Sequence, residues 1–195
     1  MAPSATWRFL AGGSIRMSDR SPEGVTPGVR RVSALHPFEI RPAAPVDVPA
    51  IHALIGALAD YENLTPVFVA TTADIADALF GPRPAAEVLI ASKNGEAAGF
   101  ALFFHNFSTF LGRRGLWLED LFVNPAFRRQ GCAKALLKAL AELAVARGCG
   151  RFEWAVLDWN ASAITFYESL GAKVLPDWRI VRVVGPALQA LAGDE

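Results

Sequence analysis

The chain has 195 residues, of which 52% are apolar and 19% charged, a composition suited to a globular protein with a sizeable core. Nineteen basic and nineteen acidic side chains cancel, so no global field points to a nucleic acid or an anionic membrane as partner. The longest apolar runs, such as Gly99 to Phe104, fall far short of the roughly 20 residues that span a bilayer, which excludes a transmembrane helix.

Residues 1 to 37 carry Gly12-Gly13, Pro22, Pro27, Gly28 and Pro37, five arginines and two acids, without a sustained period. They read as a disordered extension ahead of one domain over residues 38–195. Their Arg-bearing character is shared with transit peptides, and Met17 is a second possible start. Cys132 and Cys149 fit neither a disulfide framework nor a zinc-ligand spacing, so a reducing cytoplasm is the expected setting. His36, His52 and His105 are scattered away from any cysteine pair, and no metal is expected.

Phe38-Glu39-Ile40-Arg41 alternates and predicts a first strand. Asp47 is placed as an N-cap for a helix whose stripe is Val48, Ile51, Leu54, Ile55 and Leu58, running to Asp60-Tyr61-Glu62. Thr72 is placed as the cap of a second helix with Ile75, Ala78 and Leu79 on its apolar face, stopped by Gly81-Pro82. Two strands, Glu87 to Ala91 and Ala97 to Phe104, meet across Asn94-Gly95, a strong hairpin turn signal. An aromatic loop from Asn106 ends in Gly112-Arg113-Arg114-Gly115.

The strand from Leu116 to Val123 breaks at Asn124-Pro125 and enters a helix with Leu136, Leu137, Leu140 and Leu143 on one face, ended by Gly148 and Gly150. A strand from Arg151 to Leu157 follows. The next helix carries Ala163, Phe166, Tyr167 and Leu170 at i, i+3, i+4 and i+7 and stops at Gly171; a last strand spans Trp178 to Val184. Strands alternating with helices over short connections predict a single mixed α/β sheet, mostly antiparallel, flanked by helices.

Three segments carry chemistry. The turn Arg128 to Ala133 leads into a helix whose first N–H groups lack intrahelical partners and sit at the positive end of the dipole, which suits phosphate oxygens. Gly131 permits close backbone approach, Ala133 is small, and Arg128 and Arg129 add forked donors. An ordinary solvated helix start is the alternative for this turn. Strict alternation along the preceding strand puts Glu119 on one face with Trp117, Leu121 and Val123, and Asp120 on the other with Leu118 and Phe122. A half-buried carboxylate there is raised toward the range of a useful base; an exposed acid or a structural ion pair is the alternative. Tyr167 lies on an apolar stripe, where a core aromatic is as consistent as a functional hydroxyl.

Leu118-Glu119-Asp120-Leu121-Phe122-Val123, Arg128-x-x-Gly131-x-Ala133 and Trp159-Asn160-x-x-Ala163-Ile164-x-Phe166-Tyr167-x-x-Leu170-Gly171-Ala172 together resemble the GCN5-related N-acetyltransferase (GNAT) superfamily. More narrowly they resemble its diamine (spermidine/spermine) and thialysine branch, over about Phe38 to Leu188. The resemblance implies the acyl-CoA N-acyltransferase fold, a homodimer with the last strand as a contact, and acetyl transfer from acetyl-CoA to a primary amine. It also implies that the backbone of Leu121, Phe122 and Val123 pairs with the pantetheine and that the turn of Arg128, Arg129, Gln130, Gly131, Cys132, Ala133 and Lys134 holds the pyrophosphate. Asn160 and Ser162 would contact the cofactor further along.

In that reading Glu119 takes the proton of the amine through a water, a backbone N–H near Phe122 or Val123 stabilises the oxyanion, and Tyr167 protonates the departing thiolate. Tyr61, Glu62, Glu119, Asp120, Glu153 and Asp177 are the candidate acceptor-binding residues. Ser108 stands where the polyamine-acetylating members carry an acid, and Arg113 and Arg114 follow, which favours a smaller amino-acid-like amine. Two alternatives stay open: a GNAT enzyme acting on a protein N-terminus, a peptide lysine or an aminoglycoside, and a CoA-binding regulatory module without turnover. A dinucleotide-binding domain is disfavoured because no Gly-x-Gly-x-x-Gly follows a strand.

Overall fold

The computed structural model describes residues 37–193. The proposed extension therefore lies outside the described residues, apart from Pro37. Strands β1 (Glu39–Pro42), β2 (Glu87–Lys93), β3 (Glu96–Ser108), β4 (Arg113–Val123) and β5 (Phe152–Trp154) form one sheet in the order β1-β2-β3-β4-β5. The first four are an antiparallel meander, and β5 is parallel to β4, which it must reach through a crossover. That crossover is helix α3 (Cys132–Ala146). The sheet is thus mixed and mostly antiparallel, as expected.

Helix α1 (Val48–Tyr61) and helix α2 (Thr72–Phe80) lie on one face of the sheet, where Ile51, Leu54 and Leu79 pack with Val88, Ile90, Phe100 and Phe122. Helix α3 covers the other face. Its predicted stripe of Leu136, Leu137, Leu140 and Leu143 is buried against Phe38, Leu89, Phe103, Leu116 and Leu118. Helix α4 (Ala161–Ser169) follows β5, and helix α5 (Pro186–Ala192) lies near the end of the described chain.

The Asn94-Gly95 hairpin is present, with φ of 53° and 83° at its two central residues, the left-handed pair such a turn demands. Other local readings shift. Asp47 precedes α1 but makes no side-chain cap; its buried carboxylate instead receives Arg41 at 2.6 and 2.8 Å and the Ala44 N–H at 2.7 Å, tying β1 to the helix entry. The second helix is capped one residue earlier than predicted: Thr71 Oγ1 accepts from the Asp74 N–H while Asp74 accepts from the Thr71 N–H, a capping box. The aromatic loop is mostly strand, because β3 and β4 extend to pair Ser108 with Arg113 across a tight turn.

The last strand is a correction. Trp178 to Val184 has the composition of a strand, yet it pairs with no described strand, and Trp178, Ile180 and Val181 are 74%, 70% and 89% exposed. A strand exists only where a neighbour's backbone meets it, and β propensity alone cannot supply the neighbour. Helix α5, opened by Pro186 at its first position after Gly185, was not predicted.

Leu140, fully buried between α3 and the sheet, tests this packing. Leu140→Ala is expected to lower unfolding free energy by about 2–5 kcal/mol, read from the urea midpoint at unchanged slope.

Candidate active site

β4 and β5 run together over only three pairs, Leu116 with Phe152, Trp117 with Glu153 and Leu118 with Trp154. β5 ends there while β4 continues to Val123. The Asn124 N–H donates to the Ala98 carbonyl of β3 at 2.9 Å. Antiparallel alternation then turns the backbone groups of Phe122 toward β3, and those of Leu121 and Val123 toward the side β5 leaves open. An extended ligand can add to that edge as a further strand would.

β4 is bulged beside this opening. Leu102 pairs with Asp120 and Phe103 with Leu118, which makes Glu119 the extra residue. The bulge breaks the predicted alternation: Leu118, Leu121 and Val123 all pack toward α3, whereas Phe122 packs toward α1. Asp120 and Phe122 therefore share the α1 side, as expected, but Leu118 does not join them. Glu119 is exposed, and its Oε2 accepts from the Trp117 indole N–H at 2.8 Å.

Around Asp120 the structure assembles a compact polar group. Burial pushes the Asp120 carboxyl up to about 6, with Glu119 and then Glu62 adding repulsion. Burial also raises Glu62, at the end of α1. Tyr167 on α4 is raised by burial first, then by Glu62 and Tyr61, so its hydroxyl is protonated at neutral pH. Its ring meets Trp154 edge-on at 5.2 Å, and Tyr61 faces Trp159 at 6.1 Å. Three residues distant in sequence, Glu62, Asp120 and Tyr167, thus share one electrostatic environment beside the opening.

The turn into α3 is exposed from Arg128 to Gly131. Gly131 takes φ of 87°, and no side chain caps the helix, so the first-turn N–H groups have no helical or capping partner. Gln130 is held from two sides, by Lys93 Nζ at 2.6 Å and through its own amide to the Ala126 carbonyl at 3.1 Å. Arg128 Nε donates to the Val123 carbonyl at 3.0 Å, and the guanidinium lies over Tyr61 at 4.8 Å and Phe122 at 5.6 Å. Cys132 is buried, its thiol pushed up to about 12 by burial, and contributes packing and a backbone N–H instead of a nucleophile. These open donors, flexible cations and absent Cβ suit a pyrophosphate, so the residues present fit the donor implied by the resemblance.

Other expected residues lie elsewhere or are engaged. Asn160 caps α4, its Oδ1 accepting from the Ala163 N–H at 3.2 Å and the Ser162 hydroxyl at 3.1 Å. Glu153 pairs with Arg151 at 2.7 Å and receives the Asn106 amide at 3.3 Å, and it is not among the groups acting on Asp120. Asp177 lies on the exposed stretch after α4. Ser108 is buried and accepts from the Leu111 N–H at 3.3 Å, a turn-holding contact at the far end of β3. Trp117, Trp154 and Lys93 were not singled out from the sequence; only tertiary pairing gives them their places here.

A strand opening flanked by an anion-receptive helix start and by a buried acid and tyrosine suits an extended, phosphate-bearing ligand laid along β4. Residues 57–172 match the Acetyltransferase (GNAT) family, and the chain belongs to that family, whose co-substrate is acetyl-CoA. It is 38% identical to the L-ornithine N5-acetyltransferase NATA1 of Arabidopsis thaliana, over 78% of this chain and 86% of that one. It is 37% identical to the thialysine N-epsilon-acetyltransferase of Sus scrofa, over 79% and 96%. Among solved structures, an integron cassette protein from V. cholerae superposes with a TM-score of 0.69 at 26% identity, covering 80% of this chain and 98% of that one. The chain is an N-acetyltransferase of the diamine/thialysine branch. Among the described residues no helix is long and apolar enough to cross a membrane.

The raised Asp120 carboxyl has a signed consequence. Its folded value of about 6 exceeds the ordinary 3.8, so the protonated form favours the fold at low pH and that stability is lost as pH rises through 6. Asp120→Asn removes the loss. The stability of the variant relative to the parent is expected to climb between pH 4 and pH 7 by up to about 3 kcal/mol, measured by urea unfolding across that range.

Proposed function

We propose that the protein transfers the acetyl group of acetyl-CoA directly to a primary amine of a small polyamine or amino-acid-like acceptor, of the diamine/thialysine type. The convergence of Glu62, Asp120 and Tyr167 beside the open edge of β4 carries this reading. An amine of pKa near 10 arrives as an ammonium, and two half-buried carboxylates raised by burial gain most from such a cation. Glu62 and Asp120 hold and orient it, with Tyr61 as an aromatic wall. Relatives named for ornithine and thialysine support an amino-acid-like acceptor over a long polyamine.

Glu119 accepts the proton through a water. Its exposure on the bulge gives a bridging water access, and the Trp117 indole fixes one carboxylate oxygen. The Val123 N–H, on the open side of β4, is the donor placed to stabilise negative charge on the carbonyl oxygen. Tyr167, kept protonated by burial and nearby acids, delivers a proton to the leaving thiolate. The pyrophosphate rests on the turn from Arg128 to Lys134, with Asn160 and Ser162 further along the donor.

We also infer a homodimer in a reducing cytoplasm. The exposed apolar stretch from Val174 to Val184 is the surface a second copy would cover, and free Cys132 and Cys149 suit such a compartment.

The deciding experiment is thiol release from acetyl-CoA against thialysine, ornithine, lysine, putrescine, spermidine and a peptide amine. Fastest turnover is expected with thialysine or ornithine. Turnover confined to the peptide amine would place the protein with the macromolecule-acetylating enzymes, and tight coenzyme A binding without release from any acceptor would leave a regulatory module.

Two variants separate the proposed proton transfers. Tyr167→Phe is expected to lower kcat about tenfold or more with little change in the acetyl-CoA KM. Glu119→Gln is expected to lower kcat/KM by a factor that shrinks as pH rises and free amine becomes available. A deficit independent of pH would make Glu119 a binding group.

A further inference from the structure

The Gly112-Arg113-Arg114-Gly115 motif, which the resemblance set beside the acceptor, is not among the groups that act on Asp120 and Tyr167. It borders a concavity of about 660 Å³ lined in part by His105, Phe107, Arg113, Arg114, Arg147 and Gly148, where β3 and β4 turn and α3 ends. Among the described residues no acid lines it. The pyrophosphate turn lies at the other end of α3, whose 15 residues place the two ends about 22 Å apart.

The three guanidiniums differ in their freedom. Arg147 is fixed, paired in fork geometry with Glu87 at 2.5 and 2.7 Å and lying over Phe103 at 5.9 Å. Arg113 and Arg114 are exposed and form no ion pair with any described residue. His105 sits beside Arg147, its Nε2 3.5 Å away, and shares its face of the sheet with Arg114, whereas the next residue along β4, Arg113, belongs to the other face. Arg114, without an ion pair among the described residues, thus lies beside Arg147, whose charge Glu87 offsets, and Arg113 stands at the rim; the result is a set of planar donors with no lining acid.

We propose that this concavity binds a compact anion carrying two or more negative charges, a phosphate ester or a polycarboxylate, between Arg114 and Arg147, with Arg113 at its rim. His105 reports on it. Burial first, then Arg147 and Arg114, hold its imidazole below the ordinary value, with Glu87 acting in the opposite direction. An anion seated among those arginines offsets their repulsion and raises the imidazole, so binding tightens as pH falls through the histidine range.

The test uses the full chain saturated with coenzyme A, which occupies the pyrophosphate turn. Inorganic pyrophosphate and citrate are added against sodium chloride of equal ionic strength. At ten times its Kd either anion is expected to raise Tm by about 3–6 °C and to raise the His105 pKa, followed by NMR, by about one unit. An Arg113→Gln/Arg114→Gln double variant should lose both responses while keeping thiol release from acetyl-CoA. An equal Tm rise in the double variant, or an unmoved His105 in the parent, overturns the proposal. Should the double variant not fold, the His105 titration of the parent protein decides by itself.

Discussion

The short pairing of β4 with β5 governs the active site. Three residue pairs join the strands, and past Leu118 and Trp154 the backbone groups of β4 on that side have no strand beside them. Backbone N–H and C=O groups demand partners, and a buried edge without them costs as much as lost hydrogen bonds. Here water or an extended ligand must meet the demand, and Arg128 already reaches back to the Val123 carbonyl. The rest follows in space: α3 begins where β4 ends, α4 and Tyr167 follow where β5 stops, and the end of α1 brings Tyr61 and Glu62 across from Asp120.

Charge is partitioned along the molecule although its sum is zero. Carboxylates gather at the opening, where burial first, and then Glu119 and Glu62, disfavour the charge on Asp120. Arginines gather at the opposite end of the sheet around His105, Arg147 paired with Glu87 and Arg114 in no ion pair among the described residues. The cations of the α3 turn lie close to these acids: Arg128 stacks on Tyr61 while its Nε stays with the β4 backbone.

Much of this was readable from local pattern. The α3 stripe, the Asn94-Gly95 turn and the uncapped helix start at Gly131 all rest on periods, propensities or motif residues that act over a few positions. The failures share a cause of longer range. The face of Leu118 depends on a bulge that exists only against β3. Trp178 to Val184 reads as a strand and has no neighbour within the described chain. Glu153 was set near the acceptor as an available acid and Ser108 through the resemblance; the long-range partners that engage Glu153, Arg151 and Asn106, and the turn that brings the Leu111 N–H to Ser108, are not visible in local pattern. The shift of the cap from Thr72 to Thr71 is different: two adjacent threonines compete, and the one three residues before Asp74 completes the reciprocal box.

The extra residue at Glu119 also sets how this strand can change. Leu118 and Asp120 pair with the adjacent residues Phe103 and Leu102, so deletion of Glu119 alone would restore regular pairing with β3 and leave both faces of β4 as they are. Deletion of one residue further along, among Leu121 to Val123, would instead carry the side chains beyond it to the opposite face. The bulge is thus a place where the strand can change length without mixing the two cores it separates.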